Sequence, residues 1–222
     1  MATRVIAFDV NETLLDLRPL DPVFEEVLGD ASVRPQWFAQ MLQVAFVGTI
    51  TDRYVDFTTA QRAALDMVAQ RRGVTLPAGA ADRVVATMRA LPAHPEVADA
   101  LMRLRAAGHR LAALSNSPQD VEEAQLEHAG LTDRFDAILS ADTVRALKPR
   151  SEPYQLVART FGVPIEGVAL VAAHAWDIAG ALAAGCRAAF VARPGMPRNP
   201  IDPEPDFTGA DLAEVADRIL AA

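Results

Sequence analysis

The sequence predicts an α/β protein in which a parallel β-sheet core is interrupted, after its first strand, by an all-helical insert. Three observations predict this fold class. A short apolar strand opens the chain, helical spacing of apolar residues continues from about residue 21 to 90, and helices alternate with strands from Pro92 onward. Such alternation forms right-handed βαβ units and therefore a parallel sheet. With 222 residues, the chain is long enough for one core domain with a smaller insert.

The opening strand is the apolar run VIAF at residues 5–8, which leads directly into Asp9. Apolar residues at helical spacing predict the helices of the insert, which are PQWFAQMLQVAFVGT, YVDFTTAQRAALDMVAQRRG and AGAADRVVATMRAL. The second of these ends in two arginines and a glycine, a pattern typical of a helix C-terminus. The pattern of this span contains no convincing strand.

The rest of the chain alternates between helices and strands. Helices are predicted in PEVADALMRLRAAGH, PQDVEEAQLEHAGL, SEPYQLVARTFG and AWDIAGALAAG, and strands in RLAALSNS, FDAILSAD, GVALVAA and CRAAFVAR. A proline-rich connector over residues 193–207 precedes a last short helix from about Ala210. We assign residues 1–16 and 91–222 to the core and residues 17–90 to a helical cap. An insert placed directly after the first strand lies over the carboxyl edge of the sheet and can act as a lid.

Composition excludes several classes of protein. The formal net charge of −8 disfavours nucleic acid as a partner, because phosphate binding needs a basic face. No apolar run reaches the roughly 18 residues of a membrane-spanning helix, and the chain opens without a charged and apolar leader. Cys186 is the single cysteine, which fits a cytoplasmic protein without disulfides. We expect an enzyme acting on a small molecule, and a homodimer is left open.

Polar side chains follow four of the predicted strands. They are Asp9, then Ser115 with Asn116, then Lys148, and finally His174, Trp176 and Asp177. Parallel strands end at one edge of a sheet, so these side chains are expected to converge on one pocket. A carboxylate nucleophile needs a nearby cation, which Lys148 can supply. Ser115 and the backbone amides after it can hold an anionic oxygen, and Asp177 can orient Lys148 or a water.

Each of these residues also fits a purely structural role when taken alone. Glu12 and Thr13 are typical caps of a following helix, and the run from Ser115 to Ser117 is a typical N-cap before a proline. Lys148 fits a solvated surface lysine, and Asp177 fits an acid favoured by a helix dipole. The coincidence of suitable groups at four strand ends favours a functional site.

Four segments resemble the motifs of the haloacid dehalogenase superfamily. In chain order they are FDVNETLLD, LAALSNS, LKP and VAAHAWDIAGALAAG. The LSNS ending, the run SADTVRALKPRSEPY and the tryptophan before the last motif's acid resemble the type II L-2-haloacid dehalogenase branch. The resemblance implies a Rossmann-like core under a helical cap, with Asp9 as the nucleophile. The other positions that match the family's active site are Thr13, Ser115, Asn116, Lys148, Tyr154, Trp176 and Asp177.

The resemblance also implies a mechanism. Asp9 displaces halide from C2 of a short 2-haloacid, and water then hydrolyses the resulting ester to a 2-hydroxy acid. Lys148 would hold Asp9, while Asp177 and Ser115 would position Lys148 and the water. Asn116 and Trp176 would shape the pocket, and an anionic group would rest on Lys148 and the backbone amides around residues 10–11 and 116–117.

Asn11 distinguishes this chain from the superfamily's phosphatases, which usually carry a second aspartate there as a general acid for the leaving alcohol. Ala173 also stands where phosphatases carry a second carboxylate for Mg²⁺, so the remaining oxygen ligands are few for a hard cation. The sequence therefore predicts a reaction without metal or cofactor.

Three departures from the dehalogenase branch affect substrate recognition. Asn11 and Glu12 replace a Tyr-Gly pair, Phe38 follows Trp37 where the branch has an arginine, and Ala172 and His174 replace a serine and an asparagine. We therefore expect Val10, Asn11, Phe38 and His174 to contact substrate, with His174 also compatible with a structural role. A hydrolase of another ester or phosphate, and a silent protein that kept the fold, are the alternatives.

Overall fold

The computed structural model describes residues 5–222, so residues 1–4 of the predicted core lie outside the described part. Its centre is a parallel sheet with strand order β3-β2-β1-β4-β5-β6. The strands are β1 (Val5–Phe8), β2 (Arg110–Ser115), β3 (Ala137–Ser140), β4 (Val168–Ala172), β5 (Arg187–Val191) and β6 (Phe207–Gly209). β1 pairs with β2 on one side and β4 on the other. The predicted α/β class with a parallel sheet is confirmed.

The described residues form nine α-helices, of which four belong to the insert. Four lie between β1 and residue 90, namely α1 (Asp21–Leu28), α2 (Arg34–Ile50), α3 (Phe57–Arg72) and α4 (Ala80–Met88). The other five are α5 (Val97–Ala106), α6 (Gln119–His128), α7 (Ser151–Phe161), α8 (Ala175–Ala184) and α9 (Leu212–Leu220). From residue 21 to 88 the described chain contains no strand, as the apolar spacing predicts. None of these helices combines the length and apolarity needed to cross a membrane.

Local chemistry sets the ends of the longer helices. Asp56 accepts a hydrogen bond from the Thr59 N–H at the start of α3, which satisfies one of the unpaired donors of the first turn. Gly73 ends the same helix with φ 67°, a left-handed conformation that glycine adopts without a Cβ penalty. The predicted glycine stop at this helix is therefore correct.

The predicted connector over residues 193–207 is wrong at its C-terminal end, because β6 begins at Phe207. β6 has three residues and pairs with β5 alone, at the edge of the sheet. An edge strand this short, directly after a proline-rich run, carries too little periodicity to be separated from a loop. The last helix begins at Leu212, after an Asp211 side chain that caps it.

Alternating residues of β1 face two hydrophobic clusters. Val5 and Ala7 contact the cluster that contains side chains of α7 and α8. Ile6 and Phe8 belong to a larger cluster that extends from the sheet through α5 and α9 into the insert, where Trp37 is fully buried. The insert is thus packed onto the core, and the carboxyl end of β1 points to the junction between them.

Candidate active site

Lys148 lies between two carboxylates at the carboxyl edge of the sheet. Its Nζ donates to Asp9 Oδ1 at 2.9 Å and to Asp177 Oδ2 at 2.5 Å. The Lys148 side chain is fully buried, and Asp177 is equally inaccessible. Burying an ammonium is costly unless anions pair with it, and here Asp9 after β1 and Asp177 on α8 provide the pairing.

Thr13 fixes the other oxygen of Asp9. Its hydroxyl donates to Asp9 Oδ2 at 2.7 Å and accepts from the Ala173 N–H at 2.9 Å. Ala173 directly follows β4, so Thr13 joins the loop after β1 to the end of the neighbouring strand. Both oxygens of the Asp9 carboxylate are therefore held by donors from different segments.

Tyr154 on α7 supports Asp177 on α8. The Tyr154 hydroxyl donates to Asp177 Oδ1 at 2.6 Å, which leaves Oδ2 for Lys148. The two helices approach closely at Gly180, where an added Cβ would lie 2.6 Å from the Tyr154 hydroxyl oxygen and 2.5 Å from Pro149 Cβ. Since real Cβ atoms do not reach such distances, a glycine is required for this contact.

Asn116 binds the backbone of Lys148. Its Nδ2 donates to the Lys148 carbonyl at 3.1 Å and its Oδ1 accepts from the Lys148 N–H at 2.8 Å. The Ser115 hydroxyl accepts from the Ser117 N–H at 3.0 Å, within the turn after β2. Asn116 thus positions the lysine, whereas the predicted contact of Ser115 with Lys148 or a water stays a prediction.

His174 lies between Asp9 and Glu12. Its Nδ1 is 3.1 Å from Asp9 Oδ2, and its Nε2 is 2.9 Å from Glu12 Oε2. The imidazole stacks on the Phe38 ring at a centroid distance of 5.6 Å and on the Trp176 ring at 5.2 Å. Rings from the insert and from α8 therefore hold the histidine against the carboxylate of Asp9.

Glu12 is a site residue for which the sequence predicted a helix cap, or a departure from the dehalogenase branch, but no contact with His174. It has φ 62°, in the left-handed region, which costs a residue with a Cβ about 1–2 kcal/mol. Its Oε1 lies 3.4 Å from Arg34 Nη1, and the Arg34 Nε donates to Asp21 Oδ1 at 2.5 Å. The sequence feature that could have identified Glu12 as a site residue is its position, where the dehalogenase branch usually has glycine.

Asn11 faces away from this cluster. Its Nδ2 donates to Ser117 Oγ at 3.3 Å and its Oδ1 accepts from Gln125 Nε2 at 3.0 Å. Val10 is fully buried, and its carbonyl accepts from the N–H groups of Leu14 and Leu15. The predicted substrate contacts of Asn11 and Val10 therefore stay predictions, since these side chains pack inside the protein.

The charges of the cluster determine its protonation. Burial would raise the pKa of Asp9, but the charge of Lys148 and the hydrogen bond from His174 outweigh it and hold that pKa below its ordinary value. Burial would lower the pKa of Lys148, but the charges of Asp177 and Asp9 raise it instead. Burial raises the pKa of Asp177 against the opposing charge of Lys148. Despite burial, hydrogen bonds with Asp9 and Glu12 raise the pKa of His174 to about 9.

A pocket of about 290 Å³ opens beside His174, between the insert and the core. Its apolar wall includes Phe38, Leu42, Trp176 and Met196, and Glu12 lies at its polar side. The Trp176 indole N–H is buried without a hydrogen-bond partner among the described residues. The pocket can therefore hold a small, partly apolar molecule next to the Asp9 cluster.

The acidic residues of the cluster are already engaged by cations and hydroxyl groups. Within residues 5–222, no group of three or more His, Cys, Asp or Glu side chains is arranged to hold a metal ion. Lys148 takes the place between Asp9 and Asp177, where its ammonium neutralises both carboxylates. This arrangement can hold a carboxylate ionised and directed for attack on a carbon centre.

The model of the haloacid dehalogenase-like hydrolase family matches residues 3–185. The chain belongs to this family. Membership of the haloacid dehalogenase-like hydrolases confirms the resemblance carried by the four sequence motifs, and it accounts for the parallel sheet with a helical insert after β1.

Individual relatives within the haloacid dehalogenase-like family are dehalogenases. The haloacetate dehalogenase H-2 of Moraxella sp. (strain B) is 30% identical over 205 residues, which are 91% of this chain and 92% of that protein. The (S)-2-haloacid dehalogenase of Pseudomonas sp. (strain YL) is 30% identical over 96% of this chain and 92% of its own length. The structure of the L-2-haloacid dehalogenase of Xanthobacter autotrophicus with chloropropionic acid covalently bound has a TM-score of 0.90 and 26% identity, covering 99% of this chain and 98% of that chain.

Proposed function

We propose that this chain is a hydrolase that releases halide from a 2-haloacid through an ester on Asp9, giving a 2-hydroxy acid. The observation that carries the proposal is the Asp9–Lys148–Asp177 cluster at the carboxyl edge of the sheet. It provides an ionised carboxylate, a fixed cation and a second carboxylate beside a pocket of suitable size. The relatives that are named haloacetate dehalogenase and (S)-2-haloacid dehalogenase support this substrate class.

The first step is an in-line displacement at C2 of the substrate. A carboxylate oxygen of Asp9 attacks the carbon, the carbon–halogen electron pair leaves with the halide, and the configuration at C2 inverts. Lys148 keeps Asp9 ionised for the attack, and halide leaves without a proton, so no general acid is needed at Asn11.

The second step is hydrolysis of the ester by water. Water attacks Cγ of Asp9 and loses a proton to Asp177, whose raised pKa suits a proton acceptor. The ester oxygen leaves with the product and takes a proton from Lys148, which regains it across its 2.5 Å contact with Asp177. Tyr154 keeps Asp177 oriented throughout. Asp9 keeps an oxygen from water, and the remaining proton of that water is released to solvent because the charge of Lys148 and the hydrogen bond from His174 hold the pKa of Asp9 low.

We also propose that residues 17–90 act as the cap and residues 1–16 and 91–222 as the catalytic core. Two ring contacts between these segments support the division. Phe38 from α2 stacks on His174, and Phe46 from α2 meets Trp176 edge to face at 5.4 Å. The cap therefore supplies part of the apolar wall of the pocket, with Phe38 and Leu42, while the core supplies Glu12 and His174.

Halide release from a panel of short and bulky 2-haloacids, with and without EDTA, tests the proposed function. We expect release with at least one substrate, unchanged by EDTA, and a covalent ester on Asp9 detectable by mass spectrometry of the intact protein. Asp9→Asn should abolish release, because an amide is a poor nucleophile. Near-native turnover by folded Asp9→Asn, or no release from any substrate by the wild type, would overturn the proposal.

A phosphatase is the second candidate, because the superfamily that the four motifs resemble also contains phosphatases. It is disfavoured by Asn11, whose amide is bonded to Ser117 and Gln125 and cannot protonate a leaving alcohol. Mg²⁺-dependent hydrolysis of an aryl phosphate, in the absence of halide release, would favour this candidate.

A further inference from the structure

The two oxygens of Asp9 have different surroundings. Oδ2 accepts from the Thr13 hydroxyl at 2.7 Å and lies 3.1 Å from His174 Nδ1. Oδ1 accepts from Lys148 Nζ at 2.9 Å, the one hydrogen bond to this oxygen within residues 5–222. A carboxylate oxygen has two in-plane lone pairs, so both are engaged on Oδ2 and one is left for attack on Oδ1.

The geometry around His174 identifies its charge. Both ring nitrogens face carboxylate oxygens, with Nδ1 at Asp9 and Nε2 at Glu12. A neutral imidazole has one N–H and would place a lone pair against one of these carboxylates, whereas the protonated ring donates to both. Arg34 balances the second carboxylate at 3.4 Å. The row Asp9–His174–Glu12–Arg34, in which the first three residues are buried and Arg34 is partly exposed, thus alternates in sign.

We propose that Asp9 Oδ1 is the attacking oxygen, and that His174, together with Thr13, forms the oxyanion-binding site for hydrolysis of the ester. Glu12 is then a positioning residue, because it keeps the imidazole charged and directed at Oδ2 without touching the reacting atoms. This inference rests on the proposed function and extends it to Glu12 and His174, two residues at which the sequence departs from the branch that it resembles.

The electron balance follows from this assignment. When water attacks Cγ, the C=O electron pair moves to Oδ2, and the negative oxygen is held by the Thr13 O–H and the His174 N–H. When the pair returns, the Cγ–Oδ1 bond breaks, and Oδ1 leaves with C2 of the product and takes a proton from Lys148. Donors already directed at the developing charge stabilise such an intermediate without reorganisation.

Thr13 alone would give one donor to this oxygen. Removing one donor from an oxyanion-binding site commonly slows reaction by about 100-fold to 1,000-fold. The left-handed backbone of Glu12 is consistent with the same role, because the strained conformation places its carboxylate on the far nitrogen of the ring.

Rapid-quench kinetics of His174→Ala and His174→Asn separate the two steps. His174→Asn keeps a neutral donor near Oδ2, whereas His174→Ala removes it. With a 2-haloacid that the wild type dehalogenates, we expect a stoichiometric burst of halide at a rate within a few fold of wild type. Ester hydrolysis should then slow by about 100-fold for alanine and less for asparagine, so the ester accumulates in intact-protein mass spectra. The exposed His128→Asn on α6 is the matched control.

The outcomes distinguish the inference from the proposed function. If the wild type gives neither halide nor ester, the proposed function fails. If the wild type reacts but the variants slow halide release and hydrolysis equally, or change KM alone, His174 binds substrate and the inference fails while the proposed function stands.

Glu12→Gln provides a second, charge-specific test. Asp9 and Glu12 face His174 directly, Phe38 and Trp176 cover its ring faces, and behind these groups lie Lys148, Asp177 and Arg34. Removing a carboxylate beside an imidazolium lowers its pKa by about 1–3 units. In a plot of the ester-hydrolysis rate against pH, we expect the fall at high pH to begin about 1–3 pH units lower than in the wild type. The pH profile of the halide burst should not change. A fall that begins at the wild-type pH in folded Glu12→Gln would overturn the positioning role.

Discussion

Lys148 is the residue on which the charge balance of the site depends. It is fully buried and contacts both Asp9 and Asp177, so its ammonium offsets two carboxylates that have little access to water. Breaking a buried pair by removing one partner commonly costs about 3–5 kcal/mol, because the remaining charge is left uncompensated. The lysine therefore matters for the fold as well as for the proposed chemistry.

Replacing Lys148 with methionine keeps the apolar volume and removes the charge. We expect the free energy of unfolding at neutral pH to fall by about 3–5 kcal/mol, and halide release to fall by several orders of magnitude. Part of the lost stability should return at acidic pH, because protonation of either Asp9 or Asp177 ends the repulsion between their carboxylates. Urea denaturation at several pH values measures this, with exposed Arg150→Met as the control. A Lys148→Met protein as stable as wild type at neutral pH would contradict the buried triad.

His174 gives the stability of the protein a defined pH dependence. Its pKa is raised in the folded state from 6.5 to about 9 by Asp9 and Glu12. A raised folded-state pKa stabilises the protein fully below the unfolded value and less as pH rises through about 9. The loss across pH 6.5 to 9 should approach 3 kcal/mol in denaturation experiments, since each pKa unit is worth about 1.4 kcal/mol. His174→Asn should lose this dependence, and an identical pH curve for the variant would refute it.

At the scale of elements, the site depends on how closely α7 and α8 approach one another. Gly180 on α8 faces Pro149 and the Tyr154 hydroxyl, which in turn orients Asp177. An added methyl group has no space unless the helices separate, and separation would break the Tyr154–Asp177 hydrogen bond. A contact between two helices therefore sets the position of a proposed catalytic carboxylate.

Gly180→Ala tests this contact. We expect the free energy of unfolding to fall by about 1–3 kcal/mol, the usual cost of overpacking, and kcat to fall with little change in KM. Gly167→Ala is the matched control, because its added Cβ would meet neighbours at 3.5–3.8 Å, which are ordinary contact distances. Equal stability of the two variants would show that α8 can shift without cost.

The sequence predicted most elements of the core because each strand ends at a polar break that the apolar pattern makes visible. It missed β6, whose three residues pair on one side only and carry no alternation. It also interpreted Glu12 as a cap and gave no role to Arg34, because the contact between them depends on a left-handed backbone and on the packing of α2. Contacts between the insert and the core join residues that are far apart in sequence, so no regular spacing of residues predicts them.

At the scale of the whole molecule, the pocket is a junction between two parts with different chemistry. One hydrophobic cluster continues from the sheet into the insert, so the insert is packed firmly over the carboxyl edge. The core presents charged groups to the pocket, whereas the insert presents the apolar side chains of Phe38 and Leu42. A substrate therefore meets an apolar wall on the cap side.

This division predicts a preference for bulky substrates. A lost charge-assisted hydrogen bond is worth about 1.5–3 kcal/mol, so small 2-haloacids such as 2-chloropropionate should react slowly. A 2-haloacid with a phenyl or branched alkyl group should gain apolar contact in the 290 Å³ pocket and show a kcat/KM about tenfold higher or more.

Leu42→Trp should fill the pocket and remove the advantage of the bulky substrate, while the kcat/KM of the small substrate stays unchanged. Val47→Trp, on an exposed position of the same helix, is the control. Equal kcat/KM for both substrates in the wild type would mean that the cap wall does not contact the substrate.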